Sequence, residues 1–266
     1  MKRICYALAL MMMLTTGCSD GKGKEKTAME EPEEEPLPER FENDDLPKAA
    51  DELFNDFVYY FASNEQLQRR RIMFPLKVND EMVEEQEWQM EPFFMNAGEY
   101  TQIFDAPEQR ELANDTTIDK VFIEKIFLAK DSVRQYAFDR DNGRWQMTGI
   151  EDLRLKDNPY ATFLAFYQEF ASDSAFQQKS LTDEIEFSSP DPDDESAMME
   201  GFITPDSWEA FAPELPQDSI YNIVYGKQNA RAKEKIFVIC GISNGLEIEL
   251  TFRQERGKWK LAKLTE

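Results

Sequence analysis

The sequence predicts an α+β chain: two tandem units, each with N-terminal helices packed on a curved antiparallel sheet. Three observations carry this. Phe54-Asn55-Asp56-Phe57-Val58-Tyr59-Tyr60-Phe61-Ala62-Ser63-Asn64 is echoed by Phe163-Leu164-Ala165-Phe166-Tyr167-Gln168-Glu169-Phe170-Ala171-Ser172-Asp173. Phe138-Asp139-Arg140-Asp141-Asn142-Gly143-Arg144-Trp145-Gln146-Met147 is echoed by Phe252-Arg253-Gln254-Glu255-Arg256-Gly257-Lys258-Trp259-Lys260-Leu261. The blocks keep their order, and each copy runs from helical to strand periodicity.

The helix blocks place apolar residues three and four positions apart, the spacing of one helix face. Asn64 and Asp173 then follow as turn and cap for a short second helix that includes Leu67-Gln68 or Phe176-Gln177. Residues 71–78 read as an early strand, with Pro75 pushing it toward an edge or a bulge, and Pro205 opens a helix that runs to Phe211. In the first copy a meander follows at residues 121–129, 133–138 and 144–150; in the second, at 235–242, 246–252 and 258–264. Asn142-Gly143, Asn244-Gly245 and Arg256-Gly257 supply the hairpin turns. Leu112 to Val121 also matches Leu215 to Val224, including Asp115 with Asp218. The resulting organisation is a leader over 1–17, an acidic tether over 18–45, a first domain over 46–152 and a second over 153–266, with the junction near Leu153 to Asn158.

The leader has a basic start at Lys2-Arg3, an apolar stretch from Ile4 to Leu14 too short for a finished transmembrane helix, and small residues Thr15-Thr16-Gly17. A small-residue run ending on Cys18 resembles a bacterial lipobox, although Leu14 stands four rather than three residues before the cysteine. The resemblance implies diacylation of the Cys18 thiol, export and a membrane anchor. Two or three acyl chains hold a protein essentially for good, at about 0.8 kcal/mol per buried methylene. The expected location is the outer membrane, facing the periplasm or the cell surface. Ser19 to Asp45 is rich in Gly, Lys, Glu and Pro and is expected to form an extended tether.

Composition excludes much chemistry. There is no histidine, which removes the usual neutral-pH base, the Ser-His and Cys-His nucleophile pairs and most zinc sites. With Cys5 in the leader and Cys18 acylated, Cys240 has no disulfide partner, and its setting in Ile236-Phe237-Val238-Ile239-Cys240 marks a buried small hydrophobe. A formal charge of −23 argues against nucleic acid and against anionic lipid headgroups. Asp191-Pro192-Asp193-Asp194-Glu195 reads as a solvated acidic loop rather than a calcium site, because it lacks the spacing and turn glycine of such loops. Trp145 and Trp259 stand at equivalent strand positions and are expected to pack.

One strand face stands out. Leu246, Ile248, Leu250 and Phe252 alternate with polar residues, and the repeat carries this inward set onto Ser132, Arg134, Tyr136 and Phe138. Arg134 and Tyr136 are therefore the candidate ligand-binding residues, for an anion. No catalytic residue, metal ligand or cofactor is expected.

The order of elements, closing on Gly143-Arg144-Trp145 and Gly257-Lys258-Trp259, resembles the nuclear transport factor two-like cone. Arg71-Ile72-Met73-Phe74-Pro75-Leu76, residues 189–195, Pro213-Glu214-Leu215-Pro216 and Tyr225-Gly226-Lys227-Gln228-Asn229 resemble an uncharacterised family of lipoproteins from Gram-negative gut bacteria. The resemblance implies two such cones and brings no catalytic residues. The function expected is a non-catalytic binding or protein-interaction module with a protein or glycan partner. The alternatives are a carboxylate-dependent hydrolase or isomerase in one cone, and a structural envelope spacer.

Overall fold

The structure is a computed structural model and describes residue 46, residues 48–191 and residues 194–266, within one compact unit over Asn43–Glu266. The expected leader, Cys18 and the tether over 18–45 lie outside the described residues.

The first half opens with helices α1 (Phe54–Ser63) and α2 (Glu65–Arg71), followed by β1 (Ile72–Val78), β2 (Glu81–Val83), β3 (Glu99–Phe104), β4 (Lys120–Phe127), β5 (Ser132–Asp141) and β6 (Arg144–Arg154). The second half repeats the series with α3 (Ala161–Ser172), α4 (Ser174–Lys179), β7 (Leu181–Asp191), β8 (Asp194–Ile203), β9 (Ser219–Val224), β10 (Glu234–Gly241), β11 (Glu247–Glu255) and β12 (Lys258–Thr265). The expected α+β class holds. The helix blocks, both meanders and the early strand fall where periodicity put them, and Pro75 lies within a register irregularity between Ile72 and Lys77. Pro205–Ala210 is helical, as a 3₁₀ turn.

The helix repeat works as its residues require. Phe54, Phe57, Val58 and Phe61 form the buried face of α1; Phe163, Leu164, Tyr167 and Phe170 form that of α3. Between α1 and α2, the Asn64 side chain accepts from Leu67 N–H; between α3 and α4, Asp173 accepts from Ala175 and Phe176 N–H. Each cap satisfies helix-end donors that would otherwise lack a partner. Asn64→Ala or Asp173→Ala is expected to cost about 1 kcal/mol in denaturant unfolding, with both variants still folded.

The sheet is where the halves depart from two separate beads. All twelve strands form one sheet, in the order β2-β1-β6-β5-β4-β9-β3-β10-β11-β12-β7-β8. Register makes the two copies explicit. β4 pairs with β9 from Phe122↔Val224 to Phe127↔Ser219, and β10 pairs with β3 from Ile236↔Phe104 to Gly241↔Glu99. These are one ladder in duplicate, so β3 corresponds to β9 and β4 to β10. Each half therefore receives its inner strand from the other: β9 completes the first half and β3 the second, and the two exchanged strands meet in parallel at Thr101↔Asn222. The matching of Leu112–Val121 with Leu215–Val224 is thereby corrected. Val121 lies in β4 and Val224 in β9, which are not equivalent strands.

The exchange fixes which face each helix covers. Side chains on paired residues share a face. Thr101 is opposite both Asn222 and Ile239, and Asn222 is opposite Glu124, so Ile239 shares its face with Glu124 and not with Lys125. The first half buries Phe54, Phe57, Phe61, Phe93, Ile123, Tyr136, Phe138 and Trp145 on one face. The second buries Phe163, Tyr167, Phe170, Phe237, Leu250, Phe252 and Trp259 on the other. Edge-to-face rings fill the concavity under each helix: Phe54 meets Phe138 at 5.1 Å and Trp145 at 5.0 Å, and Phe163 meets Phe252 and Trp259 at 5.4 Å. The packing role expected of Trp145 and Trp259 is what these contacts show.

Of the acidic segment, Asp191 and Asp194 are paired across a hairpin rather than standing in a free loop. Ile185 to Asp191 pairs with Asp194 to Ile203, and β8 ends up on the outside of the sheet. Among the described residues no cluster of metal-ligating side chains occurs, and no helix is long and apolar enough to cross a membrane.

Candidate functional site

Two polar clusters are built on neighbouring residues of β4, one on each face of the sheet, and both contain residues from the exchanged strand β9.

The first is a buried carboxyl. Glu124 on β4 is fully buried. Its Oε1 accepts from Asn158 Nδ2 at 2.9 Å and Gln135 Nε2 at 3.3 Å; its Oε2 accepts from Asn222 Nδ2 at 3.1 Å and Gln228 Nε2 at 3.5 Å. Two of these amides have fixed orientation, because Asn222 Oδ1 accepts from Ile103 N–H and Asn158 Oδ1 from Tyr160 N–H. Burial pushes the Glu124 carboxyl above the usual range, and the four amide donors pull it part of the way back. Beyond Asn158, the Tyr160 hydroxyl donates to Asp105, which pairs with Lys235, while the Lys235 ammonium sits 3.9 Å from the Tyr160 ring centre. Tyr160 also borders a cavity of about 10 Å³, together with Gln109, Tyr225 and Gln228. That is room for one water at most. The cluster joins strands β4, β5 and β9 to the connections that precede α3 and β10; its polar groups are bonded to one another, and Gln135 also borders an open cavity of about 540 Å³ together with Lys77, Asn79 and Glu151.

The second cluster lies on the opposite face, at the open end of the concavity beneath α1. Lys125 on β4 is flanked by Tyr221 on β9 and Arg134 on β5, and Arg134 by Asp152 on β6, each directly across the ladder. Tyr136 is on the same face one step deeper, as the repeat indicated, but it is a core residue. It is buried, meets the Phe93 ring at 4.9 Å and donates its hydroxyl to Glu91 Oε2 at 2.9 Å. Desolvation first, and the neighbouring Glu91 second, raise its hydroxyl well above the ordinary range, so it stays a donor. Arg134 is at the rim, with its side chain 38% exposed. The structure thus brings Arg134 and Tyr136 to one face and gives them different surroundings.

Sequence reasoning missed Lys125, Tyr221 and Glu124. The first two are separated by almost a hundred residues and meet only through the strand exchange. Glu124 had a visible signal, an acid enclosed by Val121, Ile123 and Ile126 in a strand.

Cys240 is buried, and burial pushes its thiol up to about 11, as expected of a small packed hydrophobe rather than a nucleophile.

A strand-ordered sheet with helices across a filled concavity defines an NTF2-like α+β protein. The chain is similar to the crystal structure of an NTF2-like protein from Bacteroides fragilis, with 35% identity over 83% of this chain and 98% of that one and a TM-score of 0.77. Residues 33–266 match the family described as Domain of unknown function (DUF4348), and the chain belongs to it. No curated protein matches.

Proposed function

We propose that this protein is an outer-membrane lipoprotein, anchored through acylated Cys18, whose paired NTF2-like units form a non-catalytic protein-interaction module. The leader and the cysteine that ends it support the anchor, and the duplicated ladder supports descent of both units from one ancestor. The filled concavities support a non-catalytic role. Glu124 is the buried carboxyl that a hydrolase or isomerase would need, yet it is fully enclosed and lines neither the space of about 10 Å³ beside Tyr160 nor the cavity of about 540 Å³ that Gln135 borders.

The observation that carries the interaction role is the sheet edge at β8. Natural edges are blunted by shortness, charged side chains (lysine above all), proline or bulges. The opposite edge, β2, has only three residues; β8 has ten, its register irregularity is confined to the stretch between Asp194 and Met198, and Met198–Phe202 holds no lysine, proline or bulge and one charge, Glu200. Met198 is 50% exposed, Met199 43% and Phe202 70%. A cavity of about 530 Å³ flanks Phe202 between Glu186, Glu200 and Lys263. Asp194 and Glu200 lie on the strand itself, in a chain of charge −23. This complementarity selects, as occupant, an extended segment of another protein in which basic residues alternate with apolar ones, added to the sheet as a further strand. A second copy of the same acidic edge fits less well.

A synthetic peptide of alternating lysine and valine tests this on the full chain. Backbone amides of residues 197–202 are expected to exchange more slowly with peptide present. The effect should weaken with salt and be lost in Phe202→Lys, and a glutamate-valine peptide should have no effect. Equal protection by both peptides, protection by neither, or protection that grows with protein concentration alone would sink the proposal. Anchoring is tested separately: a Cys18→Ser variant is expected to leave the membrane fraction.

A further inference from the structure

The duplication supplies an internal control for every residue at the rim of the first half. Ladder register aligns Lys125↔Arg134 in β4–β5 with Ile239↔Ile248 in β10–β11. At the same two positions, one half has a buried and a half-buried isoleucine, the other has two cations side by side. The fold does not require charge there. Like charges directly opposite one another on a sheet face are destabilising, so the first half keeps them at a cost to its own stability.

Their bonding is incomplete as well. The Lys125 ammonium lies 3.8 Å from Glu91 and the Arg134 Nε 3.8 Å from Asp152, both beyond hydrogen-bond length. Arg134 Nε has no hydrogen-bond partner. Each acid is a loose ion-pair partner through one oxygen and is held through the other: Glu91 Oε1 and Asp152 Oδ1 face the cations, while Glu91 Oε2 accepts from the Tyr136 hydroxyl and Asp152 Oδ2 from Asn79 Nδ2 at 3.0 Å. Around the pair stand two rings and a third cation. Lys125 is 5.0 Å from the Tyr221 ring centre and 5.5 Å from that of Phe127, and Lys130 approaches the Phe127 ring to 5.3 Å. Two cations, Lys125 and Lys130, thus share one aromatic pair, with Arg134 directly across the ladder from Lys125, in a molecule of net charge −23.

From this geometry we infer that Lys125 and Arg134, with Lys130 and the rings of Phe127 and Tyr221, form a binding site for a small oxyanion, a carboxylate or phosphoryl group. The guanidinium presents a planar fork that matches two oxygens of such a group, and Lys125 supplies a point charge beside it. The rings take the apolar part of the ligand. Tyr136 is a positioning residue, holding Glu91 to one side of the cations. The site is independent of the β8 edge, which belongs to the second half, and stands or falls without it.

The test uses the full chain with inorganic phosphate and succinate as probes and sodium chloride as control, read by NMR at the Arg134 Nε–H and at the Phe127 and Tyr221 rings. A saturable shift with one or both probes, absent with chloride at matched ionic strength, is expected; the stronger probe identifies the phosphoryl or the carboxylate source. Lys125→Ile/Arg134→Ile, which installs the residues of the other half, is expected to abolish the shift while keeping or raising Tm. Arg134→Gln, at a position already in contact with solvent, should bind at least tenfold more weakly with Tm unchanged. A shift linear in concentration and equal for chloride, or a saturable shift that survives in Arg134→Gln, would overturn the inference. A double variant that fails to fold would also overturn it, because the premise that isoleucine suits these positions would be wrong.

Discussion

Replacing Asp51 by alanine is expected to lower stability by about 3 to 5 kcal/mol, the largest loss for any single substitution of a polar residue in the first half. Asp51 lies in a 3₁₀ turn at Lys48–Asp51, just before α1, and is buried. Its two oxygens accept from Arg71 Nη1 and Nη2, each at 2.8 Å. Arg71 ends α2 and is buried too, with Nη1 also donating to the Trp145 carbonyl at 3.1 Å. Trp145 N–H closes the circuit by donating to Asp51 Oδ1 at 3.2 Å. Six donor and acceptor atoms from the turn before α1, the end of α2 and β6 thus satisfy one another, and the Arg71 guanidinium lies 5.7 Å from the Phe57 ring centre. Removing the carboxylate strands a guanidinium in an aromatic core, which costs more than the pair itself contributes. The double variant Asp51→Ala/Arg71→Met should recover much of the loss, because it removes the uncompensated charge. Urea unfolding of the two variants checks the pair; equal stability of Asp51→Ala and the parent would mean the ion pair contributes nothing.

The second large effect is expected at Asn222. Asn222→Asp is nearly isosteric and keeps the oxygen that accepts from Ile103 N–H, but turns the Nδ2 donor 3.1 Å from Glu124 Oε2 into a second buried carboxylate oxygen. Two carboxylates at this distance cannot both ionise, so the folded state must retain a proton that the unfolded chain releases at neutral pH. The sign follows. The folded value of the pair lies above the unfolded value, so the penalty is complete at pH above the folded value. It is relieved as pH falls through that value toward the ordinary carboxylate range. A loss of about 3 kcal/mol or more at pH 7, shrinking steadily toward pH 5, is expected from unfolding curves across that range. A loss independent of pH would show that Asn222 is not beside Glu124.

Both effects belong to long-range polar circuits, and this is where the sequence was least legible. What repeats locally could be read. The phenylalanine spacing gave α1 and α3, and Asn64 and Asp173 marked the second helices. Asn142-Gly143 and Arg256-Gly257 marked hairpins whose central residues do adopt positive φ, 49° and 78° in one and 49° and 82° in the other. The shared face of Arg134, Tyr136 and Phe138 was transferred correctly from Ile248, Leu250 and Phe252, because strand alternation has an exact period of two, whereas Leu246, expected inward, precedes β11 and is 43% exposed. The exchange of β3 and β9 left no such trace. A strand's apolar alternation states which residues point inward and says nothing about which strand lies beside it. The same gap let Leu112–Val121 be laid on Leu215–Val224. The β7–β8 hairpin was hidden for another reason. Its Ser, Pro, Asp and Glu content reads as loop, and its strand character comes from pairing with β12 rather than from propensity.

The candidate site shows the same division. Arg134 could be found from one half by comparison with the other. Its neighbour Lys125 was overlooked inside an apolar run, and Tyr221 reaches it only because β9 crosses into the first half. Anion binding at the rim and amide support of Glu124 therefore both depend on the exchange.

The direct measurement is a set of nuclear Overhauser contacts from the side chain of Ile220 on β9. In the exchanged sheet Ile220 pairs with Ile126 on β4, and Tyr100 on β3 pairs with Cys240 on β10. Contacts from Ile220 to Ile126, and from Tyr100 to Cys240, are the predicted result. Contacts from Ile220 to Cys240 and from Tyr100 to Ile126 would mean that each half keeps its own strand, and would contradict the account.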